Sequence, residues 1–423
     1  MNILLLGSGG RESALAWKLR RSRRCSALYI APGNGGTGAY GQNVALNPLD
    51  FEAVGRFVLD NRIDMVVVGP EDPLVGGIHD YFQSDDRLRH IPLIGPSKAG
   101  AQLEGSKAWA KQFMLRHGIP TAAYRAFTAE AVEQGLEYLK THPLPIVLKA
   151  DGLAAGKGVV ICDDREAAAA GFRDMLGGKF GAAGAKVVVE QFLQGIEFSV
   201  FVLTDGTHYR ILPEAKDYKR IGEGDTGPNT GGMGAVSPVP FVDAALWQKV
   251  ETQIIRPTVA GLAAEKIDYK GFIFFGLIRV GDNPYVIEYN CRMGDPETEA
   301  VIPRLRNDLV SLLLHCHRGT LNRTVIRIDP RAAATVMLVS GGYPDDYEKG
   351  KVLDGVEKVR GSLLFQAGTR QVDGRLHTNG GRVLAITSYG DTLPEALQRS
   401  YRNAAKIHFE GMYYRKDIGR DVL

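Results

Sequence analysis

Along the first hundred residues, short uninterrupted apolar runs break off into loops of glycine, proline and polar residues. Residues 3–6 run into GSGGRE (7–12), 28–30 into APGNGGT (31–37), 65–68 into GPEDP (69–73) and 93–94 into GPS (95–97). Continuous rather than alternating hydrophobicity predicts parallel strands covered on both faces, with helices such as 14–19 and 51–59 between them. Ligands of open α/β sheets sit beyond the carboxyl ends of the strands, so all four polar loops are expected to line one binding layer.

Further on, Ser106 is a candidate N-cap for a helix with Trp109, Ala110, Phe113 and Met114 at helical spacing, and Gly118 and Pro120 are its stops. Residues 145–149 and 159–162 read as two strands joined by ADGLAAGKG (150–158), a hairpin whose loop of small residues can close over a triphosphate with backbone donors. A strand ending near Glu190, a connector at 194–195 and a strand starting near Glu197 follow, and a plain hairpin explains the same string. Residues 216–234 form a loop too long and glycine-rich to be a mere connector. Within 284–291, Glu288 and Asn290 are expected on one strand face and Ile287, Tyr289 and Cys291 on the other. The last hundred residues restart with a strand at 332–339, continue through strands near 363–366 and 383–387, and end in a helix near 393–407. The turn TNGGR (378–382) reads first as structural and second as a contact at the nucleotide site.

The candidate chemistry is the handling of phosphates and carboxylates. Glu12 stands where a dinucleotide fingerprint puts its third glycine, so the amides of Gly9 and Gly10, with Arg11, better suit a phosphate or carboxylate at the helix start. Lys107, in the first turn of its helix, opposes the positive end of the dipole unless an anion is near. Lys149, in an otherwise apolar strand, is costly to bury without one. The 150–158 loop is not a Walker loop: Asp151 replaces its first glycine, and Gly158 replaces the serine or threonine after the lysine. Glu288 and Asn290 offer hard oxygens to Mg²⁺ or Mn²⁺ bridging nucleotide phosphates. Arg292 is placed to neutralise a transferred phosphoryl group. The nine histidines show no metal spacing, and His315 and His317 read as packing.

Composition narrows the classes. A chain of 423 residues exceeds one hydrophobic core, which predicts two to four domains. A net charge of +3 from 51 basic and 48 acidic residues gives no basic stripe for nucleic acid or a membrane surface. No apolar run approaches the ~18 residues of a membrane span. The N-terminus lacks a secretion signal, and four cysteines without a CxxC pair fit a reducing, cytoplasmic setting.

The lid hairpin, the paired strand acids and Glu-x-Asn together resemble the ATP-grasp ligases. The strings GSGGRE, APGNGGT, GPEDPLV, QLEGSKAWAKQFM, KADGLAAGKGV, GPNTGGMGA, EYNCRMGDPE, TNGGRV and YRKDIG, in order along the whole chain, narrow the resemblance to the phosphoribosylamine:glycine ligase (glycinamide ribonucleotide synthetase) family of purine synthesis. The resemblance implies an α/β fold with a Rossmann-like N-domain (1–103), a connecting helix (104–120), a small hinged lid (121–187), an α+β ATP-grasp core with the metal site (188–328) and a C-terminal domain (329–423). It implies ATP contacts at Lys107, Lys149, Gly152, Gly156, Lys157, Gly158, Glu190, Phe192, Leu193 and Glu197, with Lys149 and Arg292 catalytic. Substrate contacts are expected at Gly9, Gly10, Arg11, Asn34, Asp217, Lys219, Asn229, Gly231 and Asp295, and Mg²⁺ or Mn²⁺ on Glu288 and Asn290. The implied reaction joins glycine to phosphoribosylamine through a glycyl phosphate made with ATP, in a monomer or weak homodimer.

Ser13, Tyr218 and Met293 depart from the family's usual histidine, histidine and phenylalanine, and the first two are expected in loops near the substrates. Alternatives are a diverged ligase joining another amino acid to another amine, a biotin-carboxylase-like enzyme and a non-catalytic nucleotide binder. Gly276, where carboxylases carry an acid, disfavours the second; Lys149, Glu288 and Asn290 disfavour the third.

Overall fold

In the computed structural model, which describes residues 1–153 and 158–423, the early apolar runs form parallel strands Asn2–Gly7, Ala27–Pro32, Gln42–Asn43, Met65–Val68 and Leu93–Pro96. Across the sheet they lie in the order third, second, first, fourth, fifth. Leu4, Leu6, Val66 and Val68 pack into one buried layer and Ile3, Leu5, Met65 and Val67 into another. Both faces are therefore dry, which is why the runs do not alternate. Helices Gly10–Arg20 and Phe51–Asp60 lie between the strands, the second capped by Asp50, which accepts from Ala53 N.

This sheet does not end with the N-terminal unit. Leu93–Pro96 pairs antiparallel with the start of Tyr269–Val280, and that long strand also carries Ile196–Thr204 and Asn283–Asn290. One nine-stranded sheet thus ties the first polar loops to the strand bearing Glu288 and Asn290.

A separate four-stranded sheet runs Tyr124–Thr128, Lys186–Gln191, Ile146–Ala150, Val159–Cys162, backed by helices Val132–Thr141 and Arg165–Asp174 around Phe127, Leu139, Leu148 and Phe172. Lys186–Gln191 pairs on both its edges inside this sheet, so the small unit runs through Gln191 rather than stopping at 187. Strands Lys186–Gln191 and Ile196–Thr204 belong to different sheets, which rules out the plain hairpin.

The C-terminal strands Ala332–Val339, Arg382–Gly390 and Leu363–Gln366 form a five-stranded sheet with Lys216–Asp217 and Gly234–Ser237, and helix Leu393–Ala404 packs on it. The glycine-rich stretch between those two donated strands folds on itself, Arg220–Gly222 against Thr226–Asn229. It is an arm built into the C-terminal sheet, which therefore begins well before residue 329. Among the described residues, no helix is long and apolar enough to cross a membrane.

Candidate active site

The centre lies where the small sheet meets the large one. Glu190 and Lys149 stand on paired strands, and Lys149 Nζ lies 3.0 Å from Glu190 Oε2. Lys111 Nζ approaches the same oxygen at 3.1 Å. The three residues are only 5%, 2% and 3% exposed for Lys149, Lys111 and Glu190, so the carboxylate neutralises two ammonium groups in a dry setting. Burial would raise the Glu190 carboxyl, but Lys149 and Lys111 hold it below the usual range, while burial takes Lys111 down to about 8. Glu190 Oε1 has no hydrogen-bond partner among the described residues. Sequence reasoning missed Lys111, although it follows Lys107 by one turn on the same helix face.

The start of the helix that carries Lys107 already holds a carboxylate from the chain itself. Ser106 caps the helix by accepting from Trp109 N, and Asp151 accepts from Ala108 N at 2.7 Å and from Ser106 Oγ at 3.1 Å. Lys107 Nζ donates to Gly152 O at 3.1 Å. Gly152 sits where a Cβ would crowd Ala183 Cα at 2.9 Å, and Gly158 O accepts from Ala150 N at 2.8 Å, closing the base of the loop. Gly156 and Lys157 lie outside the described residues.

Glu288 faces the large sheet's inner strand directly opposite Gly276, where a Cβ would crowd Glu288 Cγ at 3.0 Å. The missing acid at that position is thus room for Glu288. A bulge separates the Gly276–Glu288 pair from the Leu277–Val286 pair, so Val286 enters the core and Ile287 is only half-buried. This corrects the simple alternation expected for Ile287, and the bulge turns the Ile287 carbonyl toward Lys149, whose Nζ donates to it at 3.2 Å. Tyr289 and Cys291 are buried as expected.

Asn290 and Arg292 share a network with two acids that the sequence did not single out. With its side-chain amide set in the orientation that satisfies its neighbours, oxygen and nitrogen exchanged, Asn290 donates to Glu104 Oε1 at 3.2 Å and accepts from Arg292 Nη1 at 3.2 Å. Arg292 also meets Glu104 Oε1 at 2.7 Å and Glu71 Oε2 at 3.1 Å. Burial would raise Glu71, but Arg292 and Arg11 bring it to about 2. Arg292 is therefore tied between carboxylates and is not a free phosphoryl clamp. Among the described residues no three His, Cys, Asp or Glu side chains cluster around a possible ion. The hard-oxygen pair still suits Mg²⁺ or Mn²⁺ in its donor chemistry: Glu288 is a carboxylate, and Asn290 can offer Oδ1 once its amide turns from Arg292.

The arm contributes Lys219, whose Nζ is 2.7 Å from Glu197 Oε2, with Asp217 beside it. Beneath them Glu297 accepts from Ser199 Oγ at 3.1 Å and is pushed up to about 7 by burial and by Asp217. Asn229 pairs with Arg220 inside the arm. Gly231 O and Asp295 O both accept from Arg382 Nη1, at 2.6 and 2.7 Å, so the TNGGR turn ties the arm to the segment carrying Asp295. Phe192 and Leu193 are half-buried in the connector between the two sheets.

At the carboxyl ends of the early strands, a cavity of about 380 Å³ is lined by Gly7, Gly9, Arg11, Pro70, Asp72 and Asp295. Its helix-start amides already hold carboxylates: Gly9 N donates to Glu12 Oε2 at 2.6 Å and Arg11 N to Asp295 Oδ2 at 3.3 Å. A side chain at Gly10 would collide with Glu299. The Asn34 side-chain nitrogen donates to Ser8 O, Ser13 Oγ and Gln366 O, and its oxygen accepts from Gly36 N, so Asn34 fixes the loop. Ser13 and Tyr218 are not in open substrate loops. Ser13 is buried on a helix and donates to Gln366 O; Tyr218 is buried and donates to Asp421 Oδ1 at 2.6 Å; Met293 is core. A second cavity of about 430 Å³, beside Asn307, Ser311, His315 and Arg327, contains none of these groups.

The chain matches the family models for the N, ATP-grasp (A) and C domains of phosphoribosylglycinamide synthetase over residues 1–104, 105–298 and 333–421. It is 47% identical to a phosphoribosylamine–glycine ligase from Vibrio cholerae over 99% of this chain and 98% of that one. The crystal structure of phosphoribosylamine–glycine ligase from Thermotoga maritima superposes with a TM-score of 0.85 at 36% identity, covering 99% of this chain and 100% of that one. The biotin carboxylase domain of the Hydrogenobacter thermophilus 2-oxoglutarate carboxylase, at TM-score 0.71, 16% identity and 97% and 91% coverage, shares the fold alone.

Proposed function

From the premise that this chain belongs to the phosphoribosylglycinamide synthetase family, we propose the following roles for its site. The chain is an ATP-grasp carbon–nitrogen ligase of α/β fold that joins glycine to phosphoribosylamine, giving glycinamide ribonucleotide, ADP and phosphate. The glycine carboxylate attacks the γ-phosphorus of ATP and ADP leaves. The amine then attacks the glycyl phosphate carbonyl, phosphate leaves, and the amine gives up a proton.

The observation that best supports the ATP end is the buried Lys149–Glu190–Lys111 centre between the two sheets. Lys149 neutralises phosphate charge, and Lys107 joins it by leaving Gly152 O. The Phe192–Leu193 connector and Glu197 flank the base and ribose, and the small sheet closes over the phosphates and keeps water from the acyl phosphate. Mg²⁺ or Mn²⁺ on Glu288 and Asn290 would supply charge neutralisation at the phosphates. Arg292, tied to Glu71 and Glu104, positions Asn290. Arg11 and Asp295 face the amine substrate in the 380 Å³ cavity, and Asp217, Lys219, Asn229 and Gly231 border glycine. We assign the enzyme to the cytoplasm, as a monomer or weak homodimer.

Phosphate release assayed with Mg-ATP tests this reading: it should need glycine and phosphoribosylamine together and be indifferent to bicarbonate. Release driven by bicarbonate would favour a carboxylase.

A further inference from the structure

Asp295 and Glu299 flank the start of helix Glu297–Arg304, and their carboxyl groups lie within hydrogen-bonding reach of one another. Glu299 is 0% exposed, and neither of its oxygens meets a hydrogen-bond donor among the described residues. Asp295 Oδ1 is likewise without one: Arg382 Nη1 approaches it at 3.1 Å as a charge contact, outside hydrogen-bond geometry. Glu299 Oε1 occupies the space a side chain at position 10 would need, since a Cβ on Gly10 would collide with it. Two touching buried carboxylates cannot both ionise cheaply when Arg382 is the cation facing both and Arg11 faces Asp295 alone. A single proton held by Glu299 satisfies the bare Asp295 Oδ1 and leaves Asp295 Oδ2 with Arg11 N at the cavity wall.

We propose that Glu299 is a positioning residue: its carboxyl stays protonated, donates to Asp295, and so keeps Asp295 ionised and aimed into the cavity, at the amine end of the substrate. The second half rests on the reading of that cavity as the amine substrate's; the first half does not. Burial and Asp295 both push the Glu299 carboxyl up, while burial of Asp295 is outweighed by Arg382 and Arg11, which hold it below the usual carboxylate range.

Two variants of the full chain test this. Glu299→Gln keeps a donor for Asp295, and Glu299→Met keeps the bulk without one. Infrared spectra at pH 7 should show protonated-carboxyl absorption in the parent that Glu299→Gln lowers by one carboxyl, the remainder coming from groups such as Glu297. The KM for phosphoribosylamine should stay within about twofold in Glu299→Gln and rise about tenfold or more in Glu299→Met, with the KM for ATP unmoved, as expected for loss of one charge-assisted hydrogen bond. A band unchanged by Glu299→Gln overturns the proton assignment, and this arm decides even if Glu299→Met does not fold. Equal KM values in the two variants overturn the positioning role. A parent that does not use phosphoribosylamine overturns the reading of the cavity and leaves the band to be judged on its own.

Discussion

Replacing Glu190 by glutamine should strand two buried ammonium groups without changing the volume of the side chain, so no cavity term enters. Both Lys149 and Lys111 reach Glu190 Oε2, at 3.0 and 3.1 Å. Breaking a buried pair by removing one partner typically loses about 3–5 kcal/mol. Lys111 has an escape: burial already lowers it from 10.5 to about 8. Shedding its proton at pH 7 therefore costs about 1.4 kcal/mol, one unit at ~1.36 kcal/mol. That relief places the expected loss near the lower end, about 3 kcal/mol. It also sets a pH signature. In the parent, the unfolded chain holds the Lys111 proton up to 10.5 while the folded chain gives it up at about 8, so this group makes stability rise with pH only above about 8. In Glu190→Gln the folded value drops further and the rise begins below pH 7. Urea unfolding at pH 7 and pH 9 reads both effects through tryptophan fluorescence; Trp109 stacks on Phe113 at 5.4 Å on the helix that carries Lys111. A loss under about 1 kcal/mol at pH 7, with the same pH slope as the parent, would refute the account of Glu190 as the counter-ion of both lysines.

Other perturbations should read out other parts of the site. Arg292→Lys keeps the charge but cannot span Glu71 and Glu104, and kcat/KM should fall about tenfold or more in the ligation assay. Glu71, held at about 2, contributes stability that is full above its unfolded value near 4.5 and lost as pH falls toward 2; acid titration should show Glu71→Gln flattening that slope. Gly10→Ala should lower stability by about 1–3 kcal/mol in chemical unfolding, because the added methyl meets buried Glu299 rather than open space. Tyr218→Phe, which deletes the hydrogen bond to Asp421, should lose about 1 kcal/mol of stability and leave the choice of amino acid unchanged in a substrate scan.

What the sequence disclosed, and what it hid, follows from the range of each interaction. The early strands were legible because both faces are buried, and the 146–150 and 159–162 pairing because a loop of small residues separates two short apolar runs. Glu288 and Asn290 were legible from a two-residue period, which holds for their face; the bulge at Ile287 is set by the partner strand and left no local mark. Glu71 and Glu104 act on Arg292 across 221 and 188 positions, so nothing near Arg292 announces them. Lys111 is different, since its spacing from Lys107 was a usable signal. The arm at 216–234 looked like a loop because its strands are short and half-polar and pair with a sheet built mostly from residues more than a hundred positions later. Ser13 and Tyr218 seemed open to substrate only while their buried partners Gln366 and Asp421 were out of view.

The central claim is most directly tested by following phosphate release from Mg-ATP with glycine, with phosphoribosylamine generated in place, and with each omitted in turn. The account predicts release only when both are present, at one phosphate per glycinamide ribonucleotide formed, with other amino acids inert. Release sustained by a different amino acid or a different amine, with glycine and phosphoribosylamine idle, would contradict it.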